Sequence, residues 1–237
     1  MPDAILTGNT TKDAQNIGIF GHRGCRAASG ERAARAVIQL KADELTCNRG
    51  GREVFRGLSF SLTAGEAMLV TGRNGAGKSS LLRVIAGLVR IAAGRLALEG
   101  GEPDTPIGEQ AHYLGHQDAM KPSLTVGENL RFWTEFLGAG RHAIEHALEA
   151  VDLAPLSGLP AAYLSAGQRR RLSIGRLVAV PRPIWLLDEP TSALDAPSQK
   201  RLAELMRDHL VGGGLIIAAA HGPIGLDRAR ELKMGPA

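Results

Sequence analysis

The sequence is poor in cysteine, in aromatic residues and in long apolar runs, and each shortage removes a class of protein. Two cysteines among 237 residues, Cys25 and Cys47, supply neither a disulfide framework nor a zinc set. A reducing, cytosolic compartment fits that count. Aromatic residues make up 4% of the chain, which leaves few platforms on which single-stranded bases stack. No apolar run approaches the roughly 18–20 residues of a membrane-crossing helix. The longest runs, around 184–187 and 215–220, have the length of buried strands, so any membrane role falls to a partner. There is neither an internal repeat nor a coiled-coil heptad run.

What is present is ordinary for a globular α/β chain, with 44% hydrophobic and 22% charged residues. The net charge of +4 is modest, and +2 of it comes from residues 1–37, where five Lys and Arg face three Asp and Glu. No direct nucleic-acid role is expected from so small a remainder. Residues 1–36 lack hydrophobic periodicity and an apolar core of signal-peptide length. They are expected to be a disordered extension, or the product of a start codon placed too early, ahead of one domain over 37–237; an Arg-rich targeting peptide is the alternative reading. The last motif lies close to the end of this sequence, so no regulatory domain is expected after it.

From Val37 the pattern changes. Residues 37–45 and 58–62 alternate in the manner of half-exposed strands, punctuated by Gly50 and Gly51. A short buried strand over 67–71 runs into a Gly-rich turn, and 79–88 has helical spacing through Leu81, Leu82, Ile85 and Leu88. Helices are expected over 125–137, 142–151, 166–180 and 197–210, and strands near 113–114, over 184–187 and over 215–220. The predicted class is therefore α/β, with an antiparallel β part in front and a helical subdomain over about 118–166.

Gly72-Arg73-Asn74-Gly75-Ala76-Gly77-Lys78-Ser79 satisfies G-x-x-x-x-G-K-[ST] between a predicted strand and helix, with Ser80 following. Glycines let backbone N–H groups curl round a phosphate, and the helix N-terminus adds its positive dipole. Lys78 is placed to reach the β- and γ-phosphates and the Ser79 hydroxyl to bind Mg2+. Asp188-Glu189 ends an apolar strand, so both acids reach the carboxyl edge of a parallel sheet, where α/β ligands bind. Asp188 is expected to hold Mg2+ through water and Glu189 to act as general base.

Leu164-Ser165-Ala166-Gly167-Gln168 lies between those two motifs and opens a helix. Here the chain resembles the ABC ATPase family, whose signature is L-S-G-G-Q with Ala tolerated at the third place. The resemblance implies that Ser165, Ala166, Gly167 and Gln168 bind the γ-phosphate of ATP held by a second ATP-binding subunit, in a homodimer. A hydroxyl and bare N–H groups at a helix N-terminus suit an anion. By the same resemblance, Ser192-Ala193-Leu194-Asp195 is the loop that meets the partner. His221 is the switch histidine, and Gln117 is the residue that touches Mg2+ and reports to the membrane subunits. Arg169-Arg170-Arg171 is expected to be a solvated helix face with no special role. Where the family usually places an adenine-stacking ring, this chain has Arg49, whose guanidinium plane can stack instead.

Gly115-His116-Gln117, then Lys121, Leu124-Thr125 and Glu128-Asn129-Leu130-Arg131-Phe132-Trp133, is similar to the ATP-binding subunits of the haem exporters of cytochrome c maturation. That resemblance implies integral membrane partners, a peripheral place on the cytoplasmic face of the bacterial inner membrane, and ATP hydrolysis serving haem transport or delivery. Two other readings stay open: an ATPase subunit for another cargo, and a soluble nucleic-acid-associated ABC ATPase.

Overall fold

In the computed structural model, which describes residues 37–138 and 143–235, two glycines make the first turn. Gly50 and Gly51 take φ of 57° and 76°, the left-handed pair that suits a two-residue hairpin. They join β1 (Gln39–Arg49) to β2 (Arg52–Thr63), with Arg49 opposite Arg52. The extension expected over 1–36 lies outside the described residues. Leu40, Ala42, Leu45 and Cys47 of β1 face inward. After β3 (Ala67–Thr71) and α1 (Lys78–Ile85), β4 (Ala93–Glu99) pairs with the free side of β1, giving an antiparallel sheet of order β2-β1-β4.

The second sheet is parallel. β5 (Ala111–Leu114), β6 (Ile184–Asp188), β7 (Leu215–Ala219) and β8 (Arg230–Lys233) join β3 in the order β5-β6-β7-β3-β8. Every residue of β6 and β7 is buried, because both faces of these strands are covered, and they read as unbroken apolar runs rather than as alternation. Ile184, Leu186, Leu215 and Ile217 pack towards α1 and the antiparallel sheet, whereas Trp185, Leu187, Ile216 and Ala218 pack into the cluster that the other helices cover. The period of two thus builds two cores from one strand.

Three of the helices begin at side-chain caps. Thr125 caps α2 (Val126–Phe136) in a reciprocal box with Glu128, and Ser165 caps α4 (Ala166–Ala179) in the same way with Gln168. Asp195 caps α5 (Ala196–Val211). Between α2 and α4 lie α3 (Ala143–Ala150) and short 3-10 turns at Ala154–Leu156 and Ala161–Tyr163. Val126, Leu130, Ala147 and Leu148 from this helical stretch share one apolar cluster with Trp185 and Leu187 of the sheet. Among the described residues, no helix is long and apolar enough to cross a membrane.

Candidate functional site

The sheet brings the carboxyl ends of β3, β5, β6 and β7 to one edge, and the expected site residues leave the sheet there. Directly after β3, Gly72, Gly75 and Gly77 take φ of 141°, 83° and 97°, conformations that side chains rarely adopt. A Cβ on Gly72 would lie 2.5 Å from the Met234 carbonyl, and one on Gly77 would lie 2.8 Å from Val54. Gly77 is also the residue before α1, with no side-chain cap, so the first N–H groups of that helix have no intrahelical acceptor and face the loop as anion donors. Lys78 is buried, and its ammonium folds back over the loop, donating to the carbonyls of Gly72 at 2.8 Å and Arg73 at 3.3 Å. Arg73, Asn74 and Ala76 complete the turn, and Ser80 continues the helix.

Ser79 Oγ donates to Asp188 Oδ1 at 2.9 Å, which joins the phosphate loop to the end of β6. The other oxygen of Asp188 accepts from the Tyr113 hydroxyl at 3.2 Å, and Arg83 Nε donates to the same hydroxyl at 3.1 Å. Burial pushes the Tyr113 phenol up, so it remains a proton donor to the carboxylate. A hydroxyl and a carboxylate held together beside a phosphate cradle are hard oxygen donors of the kind Mg2+ prefers, with its other positions left to phosphate and water.

Glu189 follows with φ of 49°, a left-handed turn that costs a non-glycine residue about 1–2 kcal/mol. Its N–H donates to Ala219 O at 2.8 Å and its carbonyl accepts from Ser192 N at 3.1 Å. The Glu189 carboxylate lies 3.6 Å from His221 Nε2. Gln117 is exposed in the bend after β5; among the described residues, no hydrogen bond joins it to these groups.

The arginine run is not a solvated face. Arg170 is 2% exposed. Nη1 donates to Gly115 O at 2.7 Å, Nη2 to Asp188 O at 2.9 Å and Glu189 O at 2.7 Å, and Nε to Pro190 O at 3.4 Å. Asp118 Oδ1 lies 3.5 Å from Nη1. Desolvation lowers the basicity of Arg170, and the Asp118 carboxylate offsets part of that. Arg169 and Arg171 are likewise engaged, donating to the carbonyls of Leu164 and of Val151 and Asp152. Sequence reasoning missed Arg170 and Tyr113, because the atoms that hold them belong to segments remote in the chain.

The turn at 165–168 forms a separate group. Ser165 Oγ accepts from Gln168 N at 3.2 Å, and Gln168 Oε1 accepts from Ser165 N at 2.8 Å. The hydroxyl keeps its own proton free to donate. Ser165 and Ala166 are exposed, and a Cβ on Gly167 would come within 3.0 Å of Ala193 O, so this turn packs on the segment before α5. Among the described residues, no hydrogen bond joins it to the phosphate loop of the same chain. Asp195 caps α5 by accepting from Ser198 N at 3.0 Å.

Comparison with known proteins agrees with this geometry. The ABC transporter family matches residues 55–192, which span the phosphate loop, the 165–168 turn and the carboxylate pair. A relative from Rhodopseudomonas palustris (strain BisB5), named cytochrome c biogenesis ATP-binding export protein CcmA, is 64% identical over 84% of this chain and 98% of its own length. A protein of the same name from Nitrobacter winogradskyi is 59% identical over 84% of this chain and all of its own length. Among solved structures, an ATP-binding subunit of an ABC transporter superposes with a TM-score of 0.71 at 24% identity, covering 77% of this chain and 79% of that one. An ATP-binding ABC transporter protein from Pyrococcus furiosus gives 0.71 at 21% identity, over 83% of this chain and 97% of that one. The structural likenesses carry the fold alone, but the family match and the two close relatives carry more: this chain belongs to the ABC transporter family.

Proposed function

We propose that the chain is the ATP-hydrolysing subunit of a bacterial inner-membrane transporter that exports or delivers haem for cytochrome c biogenesis. The observation that carries the catalytic part is the meeting of Ser79 with Asp188, and of Glu189 with His221, at the sheet edge that holds the phosphate loop. In this reading the N–H groups and glycines of 72–79 cradle the phosphates of ATP, and Lys78 leaves the loop carbonyls for the γ-phosphate. Ser79 and Asp188 would hold Mg2+, and Gln117 would join them on an inward movement of the 115–118 turn. A bound ion would supply positive charge to offset the charge that builds on the phosphates.

Glu189 takes a proton from the attacking water as its oxygen bonds to the γ-phosphorus and the bond to the β-bridging oxygen breaks, giving ADP and phosphate. His221, beside the same carboxylate, orients that water and touches the γ-phosphate. Ser165, Ala166, Gly167 and Gln168 supply the opposite face of the nucleotide from a second copy. The exposure of Ser165, its free O–H and its separation from its own phosphate loop support that sandwich.

The haem assignment rests on the names of the close relatives and on the run from Gly115 to Trp133. That run is a structural unit. Buried Asn129 accepts from Lys121 N and donates to the carbonyls of Lys121, Leu124 and Thr125, and Trp133 Nε1 donates to Ala119 O. Lys121 lies 4.0 Å over the Phe132 ring. These contacts shape the surface beside Gln117 that we assign to the integral membrane subunits, on the cytoplasmic face.

A direct test is phosphate release from ATP by the chain co-purified with its membrane subunits. Glu189→Gln is expected to retain ATP and to slow release by roughly a hundred- to ten-thousandfold. Turnover at the wild-type rate would remove Glu189 from the role of base.

A further inference from the structure

The carbonyls that hold Arg170 mark the place where the parallel sheet stops pairing. β5 and β6 run in register up to Leu114 opposite Leu187. Beyond that pair the chain after β5 swings away towards Gln117, so Gly115 and Asp188 no longer face each other as ladder neighbours. The Arg170 guanidinium occupies this gap. Its five N–H donors meet five oxygens: the carbonyls of Gly115, Asp188, Glu189 and Pro190, and the Asp118 carboxylate.

No ordinary packing role needs so complete a set. A cation with 2% exposure is costly to bury, and an apolar side chain of the same volume would fill the space. What the guanidinium adds is a fixed relation between three pieces of chain. One is α4, which starts at Ser165. The second is the turn that carries Gln117. The third is the backbone of Glu189, held at a φ that a non-glycine residue leaves unless it is restrained. Two further residues on the same face of α4 grip β5 and the turn that follows it. Ser173 donates to Asp118 at 3.0 Å and Arg176 donates to Tyr113 O at 2.8 Å. Positions 170, 173 and 176 are spaced to lie along one helix face.

We propose that Arg170 is a positioning residue for hydrolysis, which holds the Glu189 backbone in its left-handed turn and ties it to α4 and to the Gln117 turn. A rotation of α4 or a shift of that turn is transmitted to the Glu189 carbonyl through two nitrogens of one rigid plane. Glu189 is thereby aimed only when the flanking pieces are in place. The inference rests on the reading of Glu189 as the base.

The test compares Arg170→Lys, Arg170→Met, Glu189→Gln and the Arg170→Met/Glu189→Gln pair, each as the full chain co-purified with its membrane subunits. Lysine keeps the charge, but with three donors on one nitrogen it cannot span the five oxygens. We expect kcat for ATP hydrolysis to fall between about tenfold and a hundredfold in both single Arg170 variants, with KM for ATP within about twofold of wild type. In the Glu189→Gln background the Arg170 change is expected to cost no further rate, because there is no base left to aim. In one further variant, Arg170→Ala, which leaves room for the missing group, added free guanidinium is expected to restore part of kcat.

Full kcat in Arg170→Lys would overturn the inference. So would an equal loss in the wild-type and Glu189→Gln backgrounds, which is the mark of a structural role alone. Glu189→Gln turning over at the wild-type rate would instead remove the base reading, and this inference with it. The lysine variant and the guanidinium rescue keep the question answerable where the methionine variant does not fold.

Discussion

Arg49 ends β1 beside the two-glycine turn and is exposed, in the place where the resembling family sets a ring against adenine. A guanidinium stacked on a base in partial solvent contributes about 0.5–1 kcal/mol. Arg49→Ala is therefore expected to weaken ATP binding by about two- to fivefold, read by titrating the variant with a fluorescent ATP analogue. An unchanged affinity would take Arg49 away from the base. At this scale the sequence was legible where spacing dictates the backbone. Gly72, Gly77, Lys78 and Ser79 lie within one turn, and Asp188-Glu189 ends one strand, so their neighbours were already known. Arg170 and Tyr113 were illegible for the opposite reason. Arg170 is defined by carbonyls at 115 and 188–190, and Tyr113 by Arg83 and Asp188. An arginine among arginines, or a tyrosine on a short strand, carries no local mark of such partners.

Elements divide along the same line. The helices expected over 125–137, 166–180 and 197–210 appear within a residue or two, because Thr125, Ser165 and Asp195 announce their starts. β4 and β8 were not foreseen. β8 reads Arg-Glu-Leu-Lys and stays largely exposed, and it is a strand only because β3 pairs with it. Two elements also bury histidines. His112 Nε2 on β5 donates to Val180 O at 2.6 Å, and His209 on α5 stacks on Trp185 with ring centroids 4.1 Å apart. Burial lowers His112 to about 3 and His209 to about 4, from 6.5.

Both rings are thus neutral in the folded chain, while the unfolded chain takes up protons first as pH falls through 6.5. Stability is full above that pH and declines as pH drops towards 4. His209 alone accounts for a loss on the order of 2 kcal/mol, after allowance for its partial exposure. Urea unfolding at a series of pH values is expected to show this fall, with a shallower slope in His209→Phe. A slope that the substitution leaves unchanged would mean that other groups set it.

Across the whole molecule, the proposed sandwich draws on two separate parts of one chain. The phosphate loop with Asp188, Glu189 and His221 lies at the sheet edge, and the turn at 165–168 forms a separate group against the segment before α5. If a second copy completes the site as proposed, hydrolysis per chain is expected to rise steeply with concentration, or on adding the membrane subunits. A rate per chain that stays constant on dilution well below micromolar concentrations would show that one copy suffices.

The central claim joins this engine to haem, and one genetic measurement addresses both. The host lacking the gene is to be stained for covalently bound haem in membrane and periplasmic protein, with rescue by the wild-type or the Glu189→Gln copy. The account predicts loss of c-type cytochromes, restored by the wild-type copy and not by Glu189→Gln. Normal haem staining in the deletion strain would contradict the haem assignment, and restoration by Glu189→Gln would contradict the need for hydrolysis.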